Sequence, residues 1–170
     1  MYTIHYEKSS GNIIVTDKNN VIVLSENRFS SEPSFNRNRK RAVYITPLEW
    51  ETQSNLIMFH LALGKREIID IPIDDTKMVK NALWLSDSLL VLIIGYTRGK
   101  RAIGGRAYSF DIEQRQLHPL CKYDGVKKQV INFEKRDKSL LLDVIEFTSE
   151  TDELFNRKKE VINMLSSGLL

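Results

Sequence analysis

The chain has 170 residues, a formal net charge of +3, 42% hydrophobic residues and 28% charged residues. That length supports one ordinary core, the composition excludes a disordered chain, and so small a net charge demands neither nucleic acid nor an anionic membrane. Cys121 is the only cysteine, which rules out an internal disulfide and CxxC-type zinc sites.

The first eight residues, Met1-Tyr2-Thr3-Ile4-His5-Tyr6-Glu7-Lys8, lack a basic segment followed by an apolar run, so no signal peptide is expected there. The longest apolar run, residues 89–94, is far shorter than a bilayer crossing requires. A cytoplasmic location without membrane contact is the resulting expectation.

In chain order, residues 2–7 alternate as a strand. Residues 12–16 and 21–25 are short β-branched runs around Asp17-Lys18-Asn19-Asn20, a turn composition because Asn and Asp tolerate positive φ. Residues 26–34 are polar, carry Pro33 and form a connection. A first unit, about 33–73, holds a short strand ending at Phe35, a polar turn, a buried strand through Ala42-Val43-Tyr44-Ile45, and a hairpin from Leu56 to Ile71.

A second unit, about 79–120, repeats this arrangement with Ala82-Leu83-Trp84-Leu85, a Ser86-Asp87-Ser88 turn, the strand 89–94, a Gly- and Arg-rich loop, and Ala107-Tyr108-Ser109-Phe110-Asp111. A third unit, about 130–165, opens on Val130-Ile131-Asn132-Phe133. Its end carries Leu154, Phe155, Val161, Ile162 and Leu165 at helix-compatible spacing, which predicts a short C-terminal helix.

Phe35 and Trp84 are 49 positions apart, Trp84 and Phe133 are 49 apart again, and Phe59 and Phe110 are 51 apart. A period of that size with about four strands per unit is the mark of propeller blades. The expected fold is therefore mainly β: three to four antiparallel propeller-like sheets in one domain over 1–170, either a small propeller or an open arc. Strands in residues 2–25 would complete a sheet or pair with a second copy of the chain.

The stretch Pro33-Ser34-Phe35-Asn36-Arg37-Asn38-Arg39-Lys40-Arg41-Ala42-Val43-Tyr44-Ile45 resembles the blade motif of TolB-type β-propellers, where Pro-x-Phe/Trp-Ser-Pro-Asp-Gly precedes a buried strand. Ala82-Leu83-Trp84-Leu85-Ser86-Asp87 resembles the same motif, and Ala107-Tyr108-Ser109-Phe110-Asp111 is similar to that family's Ile-Tyr-x-Met-Asp strand. The Ser-Pro-Asp-Gly turn is complete nowhere, and 170 residues hold at most four blades where that family usually has six or seven. The Gly104-Gly105 pair before the third strand of the second unit also resembles a feature of a small uncharacterised bacterial family. That likeness implies no activity.

If the units are blades, loops between second and third strands share one face. That face would carry Glu49, Trp50 and Glu51 from the first unit beside Arg98, Lys100, Arg101 and Arg106 from the second. Asp74 and Asp75 would reach it from the connection between units. An aromatic among charges of both signs has the composition of a protein contact, where Trp and Arg often anchor; packing of the Trp50 ring on a neighbouring blade is the competing reading. These seven residues form the candidate binding set.

The basic run 37–41 would lie on the opposite face, so the two clusters do not add into one groove for nucleic acid. A solvated charged loop is the simpler reading of each. No catalytic, metal or cofactor residue stands out. His5, His60 and His118 lack ligand spacing, and no Gly-x-Ser-x-Gly elbow is present. The expected function is a non-enzymatic module that binds a protein partner, with a homodimer as one form of that partnership. A small hydrolase or lyase using the acids of the same face is the alternative from another class, and nucleic-acid binding a third.

Overall fold

The computed structural model describes residues 1–48, 53–99, 102–148 and 154–169. Among them the backbone forms fourteen strands in four antiparallel sheets. The first sheet is β1 (Thr3–Glu7), β2 (Asn12–Thr16) and β3 (Ile22–Glu26). The second is β4 (Ser34–Phe35), β5 (Arg41–Thr46), β6 (Asn55–His60) and β7 (Lys65–Ile69). The third is β8 (Lys77–Trp84), β9 (Leu89–Tyr96), β10 (Arg106–Asp111) and β11 (Gln116–Pro119). The fourth is β12 (Lys128–Arg136), β13 (Ser139–Phe147) and β14 (Phe155–Asn163). Within each sheet every strand pairs with the next along the chain, the simple up-and-down order of propeller blades.

Local chemistry sets the turns. The Asp17 Oδ1 accepts hydrogen bonds from the Asn19 and Val21 N–H groups at 2.8 and 2.9 Å, and Asn20 sits at φ 61°. Asp111 accepts likewise from Glu113 and Gln114, with Arg115 at φ 56°. A carboxylate that satisfies the turn's own backbone donors replaces the pairing a strand would give.

Three apolar clusters join the sheets in series. Ile13 and Val15 meet Tyr44, Ile57 and Phe59 between the first and second sheets. Val43, Ile45 and Met58 meet Trp84, Leu92 and Phe110 between the second and third. Val91, Ile93 and Ala107 meet Val130, Phe133, Leu142 and Val144 between the third and fourth. Phe35, Trp84 and Phe133 each stand on the first strand of their sheet and each pack toward the preceding one, so the 49-residue spacing reports a structural equivalence. Among the described residues no apolar cluster joins the fourth sheet back to the first. The sheets therefore stand as an arc whose first strands converge on one shared cavity.

The C-terminal helix expected from spacing is not present. Phe155–Asn163 is the edge strand of the fourth sheet, paired antiparallel with β13 from Ser139↔Asn163 to Phe147↔Phe155. Only Ile162 among its apolar residues turns toward the core, opposite Leu140, while Phe155 and Val161 stay exposed. Cross-strand ion pairs Arg157–Asp143 (3.0 Å) and Lys158–Glu146 (3.5 Å) sit along it. A strand with a single core-facing apolar residue lacks clean alternation, and that is why the spacing reads as helical.

Candidate functional site

The loop between β5 and β6 and the loop between β9 and β10 occupy the same place in successive sheets. The connection of residues 70–76 runs between these sheets. Sheet order thus brings residues far apart in sequence to one end of the arc. Gln53, Asp75, Thr76, Tyr96, Thr97 and Arg98 line an open cavity of about 420 Å³ there.

The frame of this site is tied by short polar contacts. The Thr97 N–H and hydroxyl both donate to the Thr76 carbonyl, at 2.9 and 3.0 Å. Asp74 accepts from the Thr76 N–H at 3.1 Å and from its hydroxyl, and pairs with Lys77 at 2.7 Å. Hydrogen bonds from Lys77 and Thr76 pull the Asp74 carboxyl down to about 2, so at neutral pH it is an acceptor and not a proton donor. The Lys77 ammonium also lies 5.9 Å from the centre of the Tyr96 ring, leaving the ring 40% exposed. Ile103, in the same β9–β10 loop, is 55% exposed.

Of the seven candidate residues, Arg98 lies in this cavity. Arg106 does not line it: its Nε donates to the Cys121 carbonyl at 3.0 Å and its guanidinium sits 5.6 Å from the Tyr108 ring centre. Glu49, Trp50, Glu51, Lys100 and Arg101 lie outside the described residues. The Thr76–Thr97 clasp escaped sequence reasoning. Its signal is faint, a hydroxyl residue at the end of the connection and another just past the longest strand.

The opposite basic run is partly engaged in structure. The Arg39 guanidinium lies 4.6 Å from the Phe35 ring centre, and Arg41 donates to the Asp87 carbonyl while lying 5.2 Å from the Trp84 ring centre. Among the described residues no His, Cys, Asp and Glu group has the arrangement of a metal site.

Sheets of sequential antiparallel strands, joined in series through aromatic-bearing first strands, define the β-propeller class. Solved structures carry the same fold. A protein described as a conserved lipoprotein from Clostridium novyi NT is 20% identical, with a TM-score of 0.71, and the match covers 79% of this chain and 86% of that one. TolB from Acinetobacter baumannii is 13% identical with a TM-score of 0.53, covering 96% of this chain and 40% of TolB. The β-propeller domain of the Trilobed protease from Pyrococcus furiosus, described as having an open velcro topology, is 12% identical with a TM-score of 0.50, covering 95% of this chain and 52% of that one. The chain thus spans about half or less of the two larger propellers.

The family model described as a domain of unknown function, DUF4652, matches residues 64–165, and the chain belongs to that family. No curated protein matches it. The blades are TolB-like, in a family without a known activity. The cytoplasmic expectation is corrected by the first of these likenesses, because a protein described as a lipoprotein shares this fold.

Proposed function

We propose that this chain is a non-enzymatic binding module that contacts a protein partner through the face to which the loops 47–53 and 98–106 contribute. The observation that carries this reading is the convergence of Gln53, Asp75, Tyr96 and Arg98 around one open cavity. An exposed aromatic ring, a guanidinium and a carboxylate on a backbone-clasped frame form a composition found at contact hot spots. The cavity is open to solvent, which suits a surface contact better than an enclosed reaction site. Trp50 and Lys100 fall in the same loops and belong to the same proposal.

The likeness to a lipoprotein supports a place for this module at a membrane surface or outside the cell. Anchoring there would present the loop face to a partner while the arc serves as a rigid stand.

The test is affinity capture from the native cell with wild-type protein and with a Tyr96→Ala, Arg98→Ala double variant. The expected result is one or more partners recovered by the wild type and lost by the double variant, with unchanged thermal stability. A Glu134→Gln variant, remote from the face, should retain them. Equal recovery by all three proteins would remove the loop face from consideration.

A further inference from the structure

A second cavity, of about 550 Å³, lies where the four sheets converge. Tyr6 of β1, Ser34 of β4, Lys80 of β8 and Asn132 of β12 all line it, so each sheet contributes its first strand.

Lys80 reaches this cavity because of a backbone irregularity. Val79 pairs with Ile94 and Asn81 with Ile93, which leaves Lys80 without a cross-strand partner. Such a bulge turns one side chain out of the strand's alternation, and bulges are over-represented beside functional sites. The same irregularity recurs in β12 between Val130 and Asn132. There the extra residue is Ile131, so the fold does not require a lysine at this place.

The Lys80 side chain is half-buried, and among the described residues no carboxylate forms an ion pair with it. Burial alone lowers its pKa, with no neighbouring charge acting to restore it. An ammonium withdrawn from water without a counter-ion is costly, and an anion entering the cavity relieves that cost.

Neighbouring donors have room for the same anion. The Asn81 Nδ2 donates to the Asn132 Oδ1 at 3.1 Å, so the amide orientation leaves the Asn132 N–H groups directed elsewhere. The Ser34 Oγ accepts from the Trp84 N–H at 3.1 Å, and its own proton is still to be donated. Glu32 also lines the cavity, which disfavours a dianion relative to a singly charged group.

We propose that this axial cavity binds a carboxylate, with the Lys80 ammonium supplying the charge and the Asn132 amide a neighbouring donor. A carboxylate could belong to a free organic acid or to the C-terminus of a peptide. The cavity volume lies within the usual range for small-ligand sites.

The test follows the Lys80 side-chain NMR signals of the whole chain during titration with butyrate, with Ala-Ala-Ala, and with C-terminally amidated Ala-Ala-Ala. The expected result is a saturable shift of the Lys80 signals with at least one free carboxylate and none with the amide. Tighter binding of butyrate would identify the free acid as the source, and tighter binding of the tripeptide the chain end. Lys80→Met should weaken binding by at least about tenfold, the loss of one charge-assisted hydrogen bond, while Lys80→Arg should retain most of it. The proposal is overturned if no carboxylate perturbs Lys80, if the amide binds as well as the acid, or if Lys80→Met binds as the wild type does.

Discussion

Lys80 is exceptional among the charged groups because burial works on it unopposed. Most of its counterparts have partners: Glu26 holds Arg66 at 2.6 Å, and Lys128 holds Glu160 at 2.7 Å. The linkage has a definite sign. The folded chain lowers the Lys80 pKa below 10.5, so between the two values the unfolded chain binds more protons, and stability rises with pH across that window. Urea denaturation of wild type and Lys80→Met should therefore show the variant's relative advantage shrinking as pH climbs from neutral toward 10.5. An advantage independent of pH would mean the ammonium is fully hydrated in the fold.

Tyr44 is the buried hydroxyl at the joint of the first two sheets. Burial, and next the charge of Glu26, push its pKa well above the usual phenol range. Its hydroxyl donates to Glu26 at 3.3 Å, and the Arg66 Nε donates to the same carboxylate oxygen. One carboxylate on β3 thereby fastens β5 and β7 of the next sheet.

At the scale of the element, two seams show how neighbouring sheets are held. Between the second and third, Asp87 accepts from the Asn36 amide at 2.9 Å and from the Asn38 N–H at 3.2 Å. Asp87→Ala should cost about 1–3 kcal/mol, since both donors then lose a charged acceptor. Urea denaturation would check this, with Asn36→Ala as the second arm of a double-mutant cycle; strict additivity would show that the contact carries no coupling.

Between the third and fourth sheets the seam is backbone to backbone. Gly105 and Val130 exchange hydrogen bonds of 3.0 and 2.7 Å. A Cβ on Gly105 would stand 2.0 Å from the Ile94 carbonyl oxygen, and one on Gly104 would stand 2.3 Å from that of Val130. The chains approach this closely only without side chains, which gives the Gly104-Gly105 pair its physical meaning. Gly105→Ala should destabilise by about 1–3 kcal/mol through overpacking, read as a lower urea midpoint with an unchanged slope. An unaltered midpoint would show that the seam yields easily.

The same two seams mark what the sequence could disclose. Phe35, Trp84 and Phe133 were legible because one large ring must fill each gap between sheets, and that need repeats at a fixed interval. The bulge at Lys80 was not, since an extra residue in a strand looks like any other until its neighbours are paired. Leu154, Phe155, Val161 and Ile162 misled because an edge strand needs little apolar surface, so charge composition masks its alternation. On the loop face, the meeting of Arg98 with Asp75 followed from blade order. The engagement of Arg106 by Cys121 did not, because it depends on where a single side chain turns.

At the scale of the whole molecule, the three apolar clusters are arranged in series. Each sheet is stabilised mainly by its neighbours, as in other repeat proteins. The terminal faces are of different character. β1 presents Thr3, His5 and Glu7 as exposed positions, while Val161 of β14 is 66% exposed beside a cavity lined by Leu141 and Arg136. The arc begins on a strand with polar exposed positions, and the charged edge strand discourages further pairing at its end.

An arch built of blocks that lean only on adjacent blocks spreads when nothing stands at its centre. The axial cavity is bordered by all four sheets, including the two end sheets that no apolar cluster connects among the described residues. Whatever is seated there bears on both ends together, as a keystone does. Its arrival would stiffen the span between the outermost blades without adding one contact to the seams themselves.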